Sequence, residues 1–86
     1  MRKMNKEKFL KTEFGGSLKE CVTAWDKWLE IGDREAAYWC QAQWEVYQMA
    51  LRQFYGIECH FTRTDEYVGV CTENEADWLF KVERNI

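Results

Sequence analysis

The chain has 86 residues, no proline, four cysteines and a formal net charge of −3. So short a chain holds one core rather than two, and no apolar run reaches the roughly 20 residues a membrane-spanning helix needs. The acidic balance counts against a nucleic-acid surface, so nucleic acid and membrane are both disfavoured as partners.

Charge is unevenly spread. Residues 1–13 carry five bases against two acids, whereas residues 57–86 carry seven acids against three bases. The basic opening, "MRKMNKEKFLKTEF", has no apolar h-region or small-residue cleavage site. A cytoplasmic protein with reduced cysteines is therefore expected, the basic arm being a solvated helix face.

The first predicted helix covers 5–14, with Asn5 as its cap and Phe9, Leu10 and Phe14 as its apolar side. Gly15 and Gly16 read as its stop. "GGSLKE" then reads as a capping box, Ser17 and Glu20 each satisfying the other's amide, and opens a second helix over 17–31. Trp28, Cys21, Trp25, Leu18, Leu29 and Val22 share an arc of about 120° on it, with Asp26, Lys19, Glu30, Thr23 and Lys27 opposite. In "EIGDRE", Gly32 closes this helix and Asp33 caps the next. So short a connection makes the two an antiparallel hairpin.

The third helix, 33–55, has a polar strip of Gln41, Glu45, Gln48 and Arg52 only about 60° wide. Two apolar seams fill the rest: Ala37, Cys40, Trp44, Tyr47, Leu51 and Phe54 in one, Trp39, Ala42, Val46 and Ala50 in the other. Two seams need two neighbours. The expectation is that the second helix covers one seam and the sheet the other. The functional alternative gives the second seam to another protein molecule.

After Gly56 the apolar period changes from 3.6 to 2. Strands are predicted over 57–63, 67–72 and 78–83, forming a meander. With Asp65 and Glu66 at the first turn, Phe61 falls opposite Val70 and Arg63 opposite Val68, so the bulky apolar residues share one face. The same logic pairs Thr72 with Trp78, Val70 with Phe80 and Val68 with Val82. Glu58, His60, Thr62, Tyr67, Gly69, Cys71, Leu79, Lys81 and Glu83 then form the outer face. A terminal helix over "NEADWLFKVER" is the competing reading. The expected fold is thus α+β: an N-terminal three-helix segment, a short helix followed by an antiparallel hairpin, packed on one face of a C-terminal three-stranded antiparallel meander, all in a single domain over 1–86.

Chemical motifs are sparse. His60, the only histidine, lies across from Cys71 in this register, an arrangement that can activate a thiolate. A flat sheet face, however, supplies no pocket or oxyanion hole. The cysteines lack metal-ligand spacing, and Cys59 and His60 point to opposite faces of a strand. "GG" lacks the context of a phosphate loop, and "ENEAD" lacks the spacing of a calcium loop. No catalytic residue, metal or cofactor is expected.

What remains is a non-catalytic protein interaction module acting as an adaptor, regulator or inhibitor. Its candidate contact residues are Tyr38, Trp39 and Met49 on the third helix, with His60, Tyr67 and Leu79 around a notch at Gly69 on the sheet. A bacterial or mobile-element setting suits such a composition. Self-association through the second seam is the alternative, and a small thiol enzyme using Cys71 and His60 the remote one.

Overall fold

The structure is a computed structural model, and it describes residues 5–72 and 77–84. Three helices, α1 (Lys6–Leu10), α2 (Glu13–Ile31) and α3 (Arg34–Tyr55), precede three strands, β1 (Cys59–Arg63), β2 (Tyr67–Thr72) and β3 (Trp78–Glu83). The strands form one antiparallel sheet in chain order. The α+β architecture matches the expectation, and β3 disposes of the terminal-helix reading.

Local chemistry sets the helix ends. Asn5 caps α1 by accepting from the Lys8 amide, and Asp33 caps α3 by accepting from the Ala36 amide at 3.0 Å. Gly32 and Gly56, at φ of 80° and 67°, close α2 and α3 in the left-handed conformation that glycine adopts without strain. The junction of the first two helices differs from the sequence reading. The first helix stops at Leu10, and α2 begins at Glu13 rather than Ser17. Thr12 displaces Ser17 as cap: its hydroxyl accepts from the Gly15 amide at 3.0 Å and donates to the Phe9 carbonyl at 2.6 Å. Gly15 therefore lies inside the helix. A Cβ there would sit 2.1 Å from the Phe9 oxygen and 2.8 Å from Leu10 Cα, so this glycine permits backbone contact between α1 and α2.

The first hairpin has the predicted register, Phe61 opposite Val70 and Arg63 opposite Val68, around a turn at Asp65 and Glu66. In the second, Val68 faces Val82 and Val70 faces Phe80 as expected, but Cys71 faces Trp78. The predicted pairing of Thr72 with Trp78 is lost because one step along β2 matches two along β3. Leu79 is the extra residue of this bulge. Its inserted position exchanges two side chains between faces: Leu79 turns into the core at 2% exposure, and Trp78 joins the outer face. Residues 73–76, the "ENEA" of the second loop, lie outside the described residues.

One core joins the layers. Leu18, Cys21 and Val22 of α2 and Cys40, Trp44 and Leu51 of α3 meet Cys59, Val68, Val70, Leu79 and Phe80 of the sheet. Phe61 stacks on Trp25, with ring centroids 3.8 Å apart and planes 16° from parallel. At the other end Phe9 and Phe14 pack against Tyr55, and Phe14 also against Tyr47. A charged cluster closes the sheet onto α2. Arg63 Nε lies 2.7 Å from Asp26 Oδ1 and its Nη2 2.8 Å from Glu30 Oε2. Arg84 pairs with the same two carboxylates and donates to the Thr64 carbonyl at 2.7 Å. Asp26 and Glu30, which on sequence form part of the solvated side of the second helix, thus bind the sheet.

Candidate interaction surface

The buried side chains of α3 are Ala37, Cys40, Trp44 and Leu51. At 100° per residue they span an arc of about 60°. Here α2 and the sheet converge: the Cys21 thiol contacts the Cys40 carbonyl at 3.4 Å, and Trp44 approaches Phe61 at 6.4 Å between centroids. The sheet lies chiefly across α2, touching α3 through β1, where Gln48 Nε2 donates to the Cys59 carbonyl at 2.8 Å. Both neighbours of α3 therefore share its first seam. The expectation that the sheet covers the second seam is not met, and Phe54, assigned to the first, is exposed at the helix end.

The uncovered seam is continuous and differs by one residue from the second seam read in the sequence: Met49, 56% exposed, belongs to it, and Ala50 lies at its edge. Trp39, Ala42, Val46 and Met49 follow one another at steps of three, four and three residues. They occupy an arc of about 80° almost opposite the buried one. Trp39 is 64% exposed, Val46 66% and Met49 56%. Tyr38, also 64% exposed, stands edge-on to Trp39 with centroids 6.2 Å apart. Beside this seam lies a groove of about 250 Å³ lined by Glu45, Gln48, Met49, Arg52 and Glu58. The structure thus brings Tyr38, Trp39 and Met49 together on one rigid helix, capped at both ends and backed by the core.

The sheet residues fare differently. His60 is exposed and Tyr67 half-buried on the outer face. Gly69 leaves no notch: a Cβ there would meet the Phe80 oxygen at 2.2 Å and Lys81 Cα at 2.8 Å, because the β3 backbone fills the space. Leu79 is removed from this face by the bulge. Trp78, which sequence reasoning assigned inward, takes its place, and the Lys81 ammonium lies 4.4 Å from the Tyr67 ring centre and 5.7 Å from that of Trp78. No alternation of apolar and polar residues signals such a bulge.

The thiols are buried. His60 and Cys71 are cross-strand partners as expected, but Cys71 is 2% exposed, which removes its sulfur from contact with a substrate in solution. All four cysteines are unpaired and buried. Burial pushes the Cys21 and Cys59 thiols up to about 11, with Cys40 beside the first and Glu58 beside the second acting in the same direction. Burial raises Cys40 as well. Thiols so shifted are poor nucleophiles near neutral pH. Among the described residues no group of three or more His, Cys, Asp or Glu side chains is placed to hold a metal ion, and no helix is long and apolar enough to cross a membrane. Comparison of the chain with protein-family models, curated proteins and solved structures found no match.

Proposed function

We propose that this protein is a non-catalytic protein interaction module, an adaptor, regulator or inhibitor, whose partner docks along the outer face of α3. One observation carries the reading: a continuous apolar seam, Trp39, Ala42, Val46 and Met49, faces solvent on a helix whose opposite side is fully engaged. Large exposed apolar patches on monomers mark interaction sites, and Trp, Tyr and Met are enriched in the cores of interfaces. Backbone ordering adds little to the cost of binding here, since the helix is already fixed by its caps and core.

The sheet's outer face supports the reading less. Tyr67 and Trp78 are half-buried and already engaged by Lys81. The test is site-specific photo-crosslinking in the native cell, with the probe at Val46 or at Thr62 on the sheet. A discrete protein adduct from position 46 that disappears on Trp39→Ala is the expected result. An adduct from position 62 with none from 46 would move the site to the sheet and overturn the reading.

A further inference from the structure

We propose that the occupant of the α3 seam is a second copy of this chain, the two α3 helices lying antiparallel about a two-fold axis between the levels of Val46 and Met49. The inference rests on the interaction reading above and names its partner. The seam has the three-four spacing of a helix pair, in which each apolar side chain inserts among those of the facing helix. An α3 of 22 residues is about 33 Å long, enough for such a contact.

Charge along the seam's edges selects both partner and register. One edge carries Glu45 and Arg52, seven residues or about two turns apart, while the other carries the neutral Gln43 and Ala50. Reversing the helix direction about the proposed axis sets Val46 against the partner's Met49 and Ala42 against the partner's Gln53. It also sets Glu45 beside the partner's Arg52, and symmetry repeats each contact. Moving the pairing by one heptad, with Trp39 against the partner's Met49, faces Glu45 with its own copy across the axis. A parallel pair sets Glu45 beside the uncharged Ala50. Only the first register is self-complementary in charge. Arg52 is available for it, since among the described residues its ion-pair partner, Glu58, is 4.0 Å away and its side chain is 63% exposed. Trp39 then reaches the last turn of the partner's α3, near Gly56.

The area is adequate. The exposed parts of Tyr38, Trp39, Val46 and Met49 amount to on the order of 500 Å², at the top of the range monomers leave uncovered. The flanking Gln43, Glu45, Ala50 and Arg52 bring the face towards the roughly 800 Å² per partner that a specific pair buries.

The experiment is sedimentation equilibrium on the full chain, with far-UV circular dichroism to confirm that each variant is folded. The wild type is expected at twice its 10.4 kDa monomer mass, and Val46→Glu at the monomer mass with an unchanged spectrum. Glu45→Arg and Arg52→Glu should each weaken the dimer about tenfold, through two like-charge contacts. The double variant should return to within about threefold of the wild type. A dimer that survives Val46→Glu, or one indifferent to both single charge changes, overturns the proposal. So does a wild type that remains monomeric at millimolar concentration. If that monomer still gives a crosslink from position 46 to a different protein, the self-pairing falls and the interaction reading stands; with no such adduct, both fall.

Discussion

The bulge in β3 makes an opposing pair of forecasts for neighbouring residues. Leu79→Ala removes three buried carbons, about 0.8 kcal/mol each in transfer free energy, from a side chain only 2% exposed and packed among core residues. Incomplete relaxation around the vacated space brings the loss to about 3 kcal/mol. Trp78→Ala deletes a larger group, which lies on the outer face but is only partly exposed, with an ammonium contact at 5.7 Å. Its partial burial makes that loss about 2 to 3 kcal/mol as well, so the contrast lies in polar replacements: Trp78→Gln should cost no more than Trp78→Ala, whereas Leu79→Asn, which buries an unpaired amide, should cost at least about 1 kcal/mol more than Leu79→Ala. Urea unfolding followed by circular dichroism, at one protein concentration for all variants, measures both. For a domain this small, about 3 kcal/mol corresponds to a drop in Tm of roughly 12–24 °C. Without the bulge, Trp78 faces the core and Leu79 solvent, so an added penalty for Trp78→Gln with none for Leu79→Asn refutes the assigned geometry.

Adjacent glycines give a second contrast. Gly15→Ala places a methyl 2.1 Å from the Phe9 oxygen and should displace α1 at a cost of more than about 2 kcal/mol. Gly16→Ala meets nothing within 4 Å and should stabilise α2 by about 0.5 to 1 kcal/mol; chemical denaturation reads both. Arg84→Met should cost about 2 kcal/mol. The Arg84 side chain is 6% exposed and serves Asp26, Glu30 and the Thr64 carbonyl, but Glu30 is 45% exposed and Arg63 still neutralises both carboxylates. Its Nε, 2.9 Å from Asp26 Oδ1, makes an ion contact without hydrogen-bond alignment and leaves no strong directed bond to lose. Alkaline titration supplies the last. Cys21 and Cys59 ionise at about 11 in the fold and at about 9 when unfolded, so below pH 9 both states keep these protons. Between about pH 9 and 11 the unfolded chain holds fewer, and stability should fall by more than about 1 kcal/mol per pH unit. Denaturation midpoints across that range check it, and a flat profile contradicts the burial of these thiols.

How much of this was readable in the residues differs from element to element. Caps at Asn5 and Asp33, stops at Gly32 and Gly56, and the register around Asp65 and Glu66 all follow from short-range chemistry, because a one-residue slip would expose Val68 and Val70. The α2 start is not legible in the sequence, because Ser17 and Thr12 are both good caps and the close approach of the Phe9 backbone to Gly15 decides between them. The bulge is hidden for a similar reason: "WLF" is apolar at every position, so alternation cannot tell which residue is inserted. Exposed seam residues were legible as a second apolar stripe. That the stripe stays open depends on how far the sheet extends across α3, which is a tertiary property. Arg63 and Arg84 finding Asp26 and Glu30 joins segments far apart in sequence, and no local pattern announces it.

Hydroxyl-radical footprinting in the native cell, set against dilute purified protein, tests the central claim most directly. The account predicts that Trp39 and Met49 oxidise readily in the dilute protein and are strongly protected in the cell, with Val46→Glu abolishing that protection. Equal oxidation of Trp39 and Met49 in both settings would mean that the α3 face stays open where the protein works, and would contradict the account.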